Sequence, residues 1–386
     1  MEALKRNVSS RLLAFAGSFP GHFESQCCPE KGDYCPREEF ERLRETIGEE
    51  TRCEICPSTE TGSRECAHCR LADPIKLFIK DEPHSKKKLS EGRYRLIHCL
   101  SLEDQMVDKI LFYPWFGVEV REPMSVTPKG GWAPIPMGYQ RLVAEFKPNE
   151  SIAVDKTCWD WTMPAWVIRG YVDVKKAQCV DWTPEYEWVV WRRLWFVLGP
   201  GTVFNMSDGV CWRQTYWGQM KSGWLLTLSM NSIAQHLQHV LAWGRGGLMG
   251  TPSRMWAMGD DTLARFSGDD DELDKYERAL ATTGCLMKKI LRRREFAGFE
   301  FISKPGGVVA RPLYPDKHQF VLKYLDPRYE QDILMSYSLL YALDDDTWFK
   351  AYHPLCDFAV GPMQRMWAKG LADLKLLGHI PACFLP

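Results

Sequence analysis

The chain has 386 residues, enough for two or three domains or one large one. Its hydrophobic fraction of 45% and charged fraction of 26% are those of an ordinary soluble globular protein, and its net charge of −1 excludes a generally basic chain. Any surface that binds nucleic acid must therefore be local. No run of apolar residues is long enough for a membrane span and no signal-peptide core occurs, which predicts a reducing, cytosol-like compartment.

Two Cys-x-x-Cys pairs lie close together near the start of the chain. Cys53 and Cys56 are followed, after nine residues, by Cys66 and Cys69. Four thiolates at this spacing can close a tetrahedral structural zinc site. Four free thiols in a polar loop are the alternative, and the spacing leaves both open.

Residues 74–97 contain β-prone residues and many charged residues, and nearly all of these charges have one sign, which is positive. We expect one strand carrying Lys76 and Lys80, a turn, and a second strand carrying Arg93 and Arg95. Such strands form a positive finger suited to phosphates. The alternative is a solvated charged face, which is the more common structure for a run of charged residues.

A short apolar strand at residues 151–155 ends on Asp155, and Asp160 follows five residues later, where the chain turns. Asp173 and Asp181 are a similar pair at a wider spacing. Because Asp155 closes a strand that is apolar enough to be buried, we prefer the first pair as the functional one.

Ser222 and Gly223 form a tight loop before a predicted helix. Thr227 and Asn231 lie four residues apart and therefore share one face of that helix. An ordinary polar helix face is the alternative interpretation.

Two apolar arms at residues 255–266 flank the sequence Gly259-Asp260-Asp261, which predicts a hairpin with a tight turn. The adjacent carboxylates repel each other unless a cation lies between them, and hard carboxylate oxygens suit Mg²⁺. Taken alone, this tripeptide favours an acidic surface turn, and only the motifs around it favour a metal site instead.

The hairpin precedes a predicted helix over 270–283 and then Lys288 and Lys289. An aromatic hairpin is predicted over 295–311, and several short helices over 315–386.

This order of motifs resembles the palm and fingers of viral RNA-dependent RNA polymerases over roughly residues 74–311. The segment from Phe78 to Ile97 looks most like the corresponding segment in polymerases of positive-strand RNA viruses of the sobemovirus-like and luteovirus-like group. The paired Cys-x-x-Cys motif is not part of that resemblance.

The resemblance implies an α+β right-hand polymerase with an antiparallel-sheet palm flanked by helices. The implied domains are an N-terminal segment (1–73), fingers (74–150), a palm (151–294, with a fingers insertion at about 168–220), and a primer-grip hairpin with a helical thumb (295–386).

The implied activity is templated RNA synthesis from NTPs with two Mg²⁺ or Mn²⁺ ions. Asp155, Asp260 and Asp261 are the implied metal ligands. Lys288 or Lys289 is implied to protonate the leaving pyrophosphate. The implied NTP-binding residues are Lys80, Lys88 and Arg95 for the triphosphate, and Asp160, Ser222, Gly223, Thr227 and Asn231 for the ribose.

The implied partners are an RNA template, the nascent strand, NTPs and other viral replication proteins. The expected location is the host cytoplasm, in membrane-associated complexes joined through partners. A reverse transcriptase is one alternative, but Met258 stands where that class has an aromatic residue, and the Ser-Gly-x3-Thr-x3-Asn helix is intact. A non-enzymatic, zinc-stabilised RNA-binding protein is the other alternative.

Overall fold

A computed structural model describes most of the chain, namely residues 72–84, 86–92, 94–206, 209–305 and 307–347. The four cysteines of the expected zinc site, Cys53, Cys56, Cys66 and Cys69, lie outside these residues, and so does Arg93.

The described residues form eleven strands, in chain order β1 (Ile75–Ile79), β2 (Leu96–Cys99), β3 (Ser151–Lys156), β4 (Val203–Asn205), β5 (Cys211–Arg213), β6 (Met255–Met258), β7 (Asp261–Arg265), β8 (Met287–Leu291), β9 (Glu295–Phe296), β10 (Phe299–Lys304) and β11 (Gly307–Pro312). The α-helices of the same residues are α1 (Lys86–Ser90), α2 (Leu102–Arg121), α3 (Tyr139–Glu145), α4 (Trp159–Thr162), α5 (Trp166–Gln178), α6 (Pro184–Leu198), α7 (Thr227–Arg245), α8 (Asp270–Ala281), α9 (Pro315–Lys323), α10 (Glu330–Leu340) and α11 (Asp345–Thr347). A π-helical turn at Pro134–Gly138 and a 3-10 turn at Pro327–Tyr329 complete the description.

The chain divides into two compact units, each of which is discontinuous in sequence. The first unit comprises the described part of Met1–Lys80 with Gly92–Gly117 and Cys158–Met230. The second unit comprises Asp81–Glu91, Val118–Thr157 and the described part of Asn231–Pro386.

The second unit is built on a four-stranded antiparallel sheet with the strand order β6-β7-β3-β8. β3 is an inner strand, and its apolar residues Ile152, Ala153 and Val154 are buried. A strand that is covered on both faces is apolar at consecutive positions, which explains this run. The antiparallel sheet that the resemblance implied is therefore present in the fold.

Gly259 and Asp260 form the two-residue turn between β6 and β7, where Met258 pairs with Asp261. Gly259 has a φ of +69°, in the left-handed region where a residue with a Cβ is strained. Glycine at the first central position of a two-residue hairpin is typical of a type II′ turn, whose twist matches that of paired strands. The hairpin and its tight turn are thus confirmed.

Buried aromatic side chains around Trp256 form the hydrophobic core of the second unit. Ring centroids of Trp132, Phe146 and Phe296 lie 5.3, 5.4 and 6.1 Å from that of Trp256. The Trp256 indole Nε1 donates a 3.0 Å hydrogen bond to Glu145 Oε1, so its polar atom is satisfied. Burial of each such side chain stabilises the fold by roughly 1.5–3 kcal/mol.

The aromatic hairpin predicted over 295–311 is confirmed. β10 pairs with β11 in antiparallel register, from Phe299 opposite Pro312 to Lys304 opposite Gly307. β9 adds a short third strand to this sheet. The helices α9, α10 and α11 follow, which agrees with the predicted short helices as far as residue 347.

In the first unit, a buried charge cluster joins α6 to α2. Arg193 Nη1 lies 2.9 Å from Asp104 Oδ1, and Arg193 Nε lies 2.7 Å from Asp108 Oδ1. Trp224 Nε1 donates a further hydrogen bond to Asp108 Oδ2 at 3.0 Å. Burial raises the pKa of Asp108, and the Arg193 charge opposes that shift. Removing one member of such a cluster typically costs about 3–5 kcal/mol, because a buried charge is left unpaired.

The predicted pair of basic strands is wrong in part. Lys76 lies on β1, but Lys80 follows β1 and Arg95 precedes β2, whose residues Leu96–Cys99 include no Lys or Arg. The backbone N–H of Lys80 donates to the carbonyl of Arg95 at 2.8 Å, so both residues flank the β1–β2 ladder. The second strand begins later than predicted because the ladder pairs Leu96–Cys99 with Lys76–Ile79, which leaves Arg95 at its edge.

Among the described residues, no helix is both long and apolar enough to cross a lipid bilayer.

His239 on α7 couples the stability of the second unit to pH. The side chain is 1% exposed, and its ring nitrogens lie 2.7 Å from the Tyr276 hydroxyl and 3.0 Å from the Ser253 carbonyl. Burial lowers the pKa of His239 from 6.5 to about 4. The unfolded chain therefore takes up a proton near pH 6.5 that the folded chain refuses until about pH 4. The stability due to the neutral ring is complete above pH 6.5 and is lost as pH falls toward 4.

We predict that His239→Gln flattens the loss of unfolding free energy between about pH 6.5 and pH 4, because a side chain that does not titrate replaces the imidazole. The wild-type loss due to this residue is roughly 3 kcal/mol over that range, at about 1.4 kcal/mol per pKa unit. Denaturant unfolding at a series of pH values measures it. His84→Gln, at a partly exposed position, serves as the control. Equal slopes for wild type and His239→Gln would contradict the prediction.

Candidate active site

Three carboxylates lie at one end of the sheet of the second unit. Asp155 is the penultimate residue of β3, and Asp260 and Asp261 lie at the β6–β7 turn. Val154 pairs with Thr262 in the antiparallel β3–β7 register, so Asp155 and Asp261 come next to each other at the following position. The two segments that the sequence analysis singled out separately are therefore neighbours in the fold.

The electrostatics of Asp261 show how closely negative charge is gathered here. Desolvation of its carboxyl group, followed by the charges of Asp260, Asp155 and Glu295, raises the pKa of Asp261 to about 6. The ionised form of a carboxyl group whose pKa is raised by neighbouring carboxylates is stabilised when a cation binds beside it.

Lys288 on β8 supplies one positive charge to this group. Its Nζ lies 2.6 Å from Asp155 Oδ2, and this hydrogen bond raises the pKa of Lys288. Lys289 instead lies 3.7 Å from Glu295 Oε1. Of the two lysines considered from the sequence, Lys288 is the one that contacts a candidate metal ligand.

The three aspartates also fit a hard divalent cation by their chemistry, since carboxylate oxygens are the preferred ligands of Mg²⁺. In the described part of the chain, no three His, Cys, Asp or Glu side chains already converge as a complete metal-binding group. The fit therefore rests on the donor type and on the gathered negative charge at Asp261.

Residues of helix α7 that the sequence analysis missed form hydrogen bonds to the β6–β7 turn and to strand β3. The backbone N–H of Gly259 donates to Ser232 Oγ at 2.9 Å. Lys156 is buried, and its Nζ donates to the side-chain oxygens of Gln235 and Gln238. Burial lowers the pKa of Lys156 to about 8, which the charges of Cys285 and Asp260 oppose. The three-residue spacing of the polar residues on α7 is the signal that could have revealed this face.

The first unit brings together Asp160 and the Ser-Gly loop. Ser222 Oγ donates a 2.5 Å hydrogen bond to Asp160 Oδ2, and Thr227 Oγ1 donates to the Lys221 carbonyl at 2.7 Å. Gly223 has a φ of +111°, and a Cβ there would lie 2.6 Å from the His98 carbonyl oxygen, so only glycine fits.

The remaining predicted residues lie on several elements. Asn231 is buried on α7 within the second unit. Lys80 and Arg95 flank the β1–β2 ladder of the first unit, and Lys88 is exposed on α1 of the second unit.

The fold matches that of a solved polymerase. The structure of the Sicinivirus 3Dpol RNA dependent RNA polymerase superimposes with a TM-score of 0.58 and 16% sequence identity, covering 78% of this chain and 66% of that chain. This chain therefore has the right-hand fold of viral RNA polymerases, as the motifs implied.

Sequence relatives narrow the class. A family model described as viral RNA-directed RNA-polymerase matches residues 57–131. Protein P1-P2 of Turnip yellows virus (isolate FL-1) is 30% identical over 226 residues, or 54% of this chain and 21% of that protein. Replicase polyprotein P2AB of Southern bean mosaic virus (isolate Bean/United States/Arkansas) is 31% identical over 215 residues, with the same shares. The match thus spans about a fifth of these curated relatives. The resemblance to viral RNA-dependent RNA polymerases of the sobemovirus-like and luteovirus-like group is confirmed.

The Lys288–Asp155 ion pair makes a prediction about metal affinity. Lys288 Nζ lies against one carboxylate oxygen of Asp155, so a cation that binds this oxygen must displace the lysine side chain. Lys288→Gln should therefore bind Mn²⁺ about two- to five-fold more tightly than wild type, the ratio expected for a partly exposed ion pair. Electron paramagnetic resonance of free Mn²⁺ during a titration measures the affinity.

Lys289→Gln is the matched control for this titration, since it removes the same charge one residue away and leaves Asp155 paired. Unchanged or weaker Mn²⁺ binding by Lys288→Gln would show that Asp155 is not a ligand for which the lysine and the metal compete.

Proposed function

We propose that this chain carries the catalytic domain of a viral RNA-directed RNA polymerase, which copies an RNA template from NTPs. The observation that carries the proposal is the gathering of Asp155, Asp260 and Asp261 at one end of an antiparallel sheet, with Lys288 2.6 Å from Asp155. The fold and the relatives support the same activity. Since the match covers about a fifth of the relatives, the proposal concerns this segment and not a whole replicase.

Asp155, Asp260 and Asp261 would hold two Mg²⁺ or Mn²⁺ ions. Such ions, when bound, neutralise charge on the attacking 3′ oxygen and on the leaving pyrophosphate. Lys288 would act as the general acid, giving the proton on its Nζ to a pyrophosphate oxygen. Its Nζ lies 2.6 Å from Asp155 Oδ2, and this ammonium group would be released for the transfer when a cation binds Asp155.

Asp160 and Ser222 would recognise the ribose of the NTP. Their 2.5 Å hydrogen bond holds one carboxylate oxygen in a fixed position, which suits it to accept a bond from a sugar hydroxyl. The Lys221–Thr227 hydrogen bond and the constrained Gly223 hold this loop in one conformation. Asn231 would donate to the 2′-hydroxyl, the group that separates NTP from dNTP.

Lys80 and Arg95 at the ends of β1 and β2, and Lys88 on α1, would bind the triphosphate, because cationic side chains suit phosphate oxygens. We assign fingers, palm and thumb roles to residues 74–150, 151–294 and 295–386, with the insertion at about 168–220 belonging to the fingers. The order of the motifs supports these boundaries.

Further partners are proposed from the same class assignment. They are an RNA template with its nascent strand, other viral replication proteins, and through them a membrane-associated complex in the host cytoplasm. A structural Zn²⁺ held by Cys53, Cys56, Cys66 and Cys69 is supported by the Cys-x-x-Cys spacing alone.

Substitution of Asp260 tests the proposed chemistry. We predict that Asp260→Asn lowers nucleotide incorporation on a primed RNA template at least about a hundred-fold, the typical loss for a key electrostatic group. Asp271→Asn on α8 is the matched control, since it makes the same change at an exposed position and should retain activity. Retention of more than about a hundredth of wild-type rate by a folded Asp260→Asn would rule out the proposed role.

A further inference from the structure

Positively charged side chains line a surface concavity of about 420 Å³ between the C-terminal end of α7 and helix α8. The lining residues are Arg245, Gly246, Lys275, Arg278, Ala279 and Thr282. Three of these six residues carry a positive charge, and none carries a negative one. All six belong to the second unit, and the proposed nucleotidyl transfer uses none of them.

The way in which α7 ends brings its backbone against α8. Gly247 has a φ of +65°, and the N–H of Leu248 donates to the Trp243 carbonyl at 3.2 Å, as in a Schellman C-cap. A Cβ on Gly246 would lie 3.4 Å from the Lys275 carbonyl oxygen, so the two backbones meet closely. The concavity is therefore formed by two helices in direct contact.

Arg245 is fixed across this junction. Its Nη1 donates to the Thr282 carbonyl at 2.8 Å and to the Thr282 hydroxyl at 3.0 Å. Within the described residues, its Nε and Nη2 groups donate to no other protein atom. Because a guanidinium group has five N–H donors in a rigid plane, these remaining donors are already oriented for an anion.

Ion pairing within α8 does not account for the other two cations. Asp271 precedes Lys275 by one turn, and Asp274 precedes Arg278 in the same way, a spacing at which helix ion pairs form. In the described part of the chain neither cation forms such a pair, and both line the concavity. Attraction to the helix dipole explains a cation in the last turn, such as Arg278, but Lys275 lies near the middle of α8.

The concavity lies away from the carboxylates. Ser232 on α7 accepts the N–H of Gly259 from the β6–β7 turn, and Arg245 ends the same helix. At 1.5 Å per residue, the part of α7 between Ser232 and Arg245 is roughly 20 Å long. A ligand in the concavity is therefore remote from the reacting groups.

The lining indicates what kind of ligand fits. Guanidinium and ammonium groups bind phosphate oxygens. The lining includes no aromatic side chain on which a base could stack, and a small ligand is normally buried over most of its surface, so a strand's backbone fits better than a free nucleotide. A flat anionic bilayer would also meet Asp271, Asp274 and Glu277, which are exposed on α8. A strand can place single phosphates between the cations.

We propose that Arg245, Lys275 and Arg278 form a second RNA contact, which binds phosphate groups of the RNA backbone outside the carboxylate site. This inference goes beyond the proposed function, since it requires that the chain meets RNA and not that it catalyses a reaction. Phosphates are the same at every nucleotide, so the contact holds a strand without reading its sequence.

The test measures equilibrium binding of a fluorescent single-stranded RNA of about 20 nucleotides at several salt concentrations, because phosphate contacts release counterions. Lys275→Gln and the double variant Lys275→Gln/Arg278→Gln remove one and two charges, and Lys275→Arg keeps the charge. Lys147→Gln is the matched control, since Lys147 is exposed in the same unit and does not line the concavity. Thermal midpoints and kcat of single-nucleotide addition are measured for each protein.

The logarithm of affinity falls with the logarithm of salt concentration by about 0.7 per phosphate contact to a single strand. We expect this slope to become shallower by about 0.7 for Lys275→Gln and by about 1.4 for the double variant. The double variant should therefore bind about 25-fold more weakly than wild type at about 0.1 M salt, with the difference vanishing near about 1 M. Lys275→Arg and Lys147→Gln should bind RNA as wild type does. At saturating RNA, kcat should be unchanged in all four variants.

Wild-type slope and affinity in the double variant would overturn the inference. An equal loss in Lys147→Gln, or in Lys275→Arg, would overturn it as well. Should the double variant have a lowered thermal midpoint, the comparison of Lys275→Gln with Lys275→Arg decides.

Two further arms measure binding of ATP and of vesicles that contain phosphatidylcholine and phosphatidylglycerol. A loss confined to ATP or to vesicles, with RNA binding unchanged, would overturn the inference by assigning the concavity to that ligand. If wild type binds RNA through these cations but adds no nucleotide, the proposed function fails and the second contact stands. If wild type binds no RNA, both fail.

Discussion

The concentration of negative charge at one end of the β6-β7-β3-β8 sheet is the constraint on which the site depends. Three carboxylates lie there because β3 is buried between β7 and β8, which fixes the register that makes Asp155 and Asp261 neighbours. Desolvation of the carboxyl group and repulsion from Asp260 and Asp155 raise the pKa of Asp261 to about 6, although the residue as a whole is exposed. Lys288 offsets this charge directly, at 2.6 Å from Asp155, and the arrangement is suited to a still stronger cation.

The rest of the fold keeps these carboxylates in place. Trp256 anchors β6 in the aromatic core, and Ser232 accepts the N–H of Gly259 from the turn itself. Lys156 places a buried positive charge between β3 and α7, satisfied by two glutamine oxygens. Rigid support of this kind is what electrostatic catalysis requires, because groups that are already oriented need not reorganise during the reaction.

The sequence predicted what is local. The Gly-Asp-Asp turn and the constrained Gly223 follow from turn chemistry within a few residues, and the order of motifs was specific enough to indicate the class. Contacts between distant positions could not be predicted. Lys156 forms a hydrogen bond with Gln235, which is 79 residues away in the sequence. Arg193 forms one with Asp104, which is 89 residues away. The second basic strand was placed too early, since charge patterns do not show where a ladder begins. Tyr314, just before α9, has a left-handed backbone conformation with φ +63°, which the sequence could not indicate because tyrosine gives no signal for it.

The most direct measurement of the central claim is single-nucleotide addition by the wild-type chain on four RNA templates that differ only in the templating base. Each NTP and each dNTP is supplied alone, with and without Mg²⁺. The account predicts Mg²⁺-dependent addition of the complementary NTP on each template, with the matching dNTP used poorly. Preference for dNTPs would indicate a reverse transcriptase. Addition that ignores the template, or no addition at all, would contradict the assignment of the carboxylate cluster as a polymerase centre.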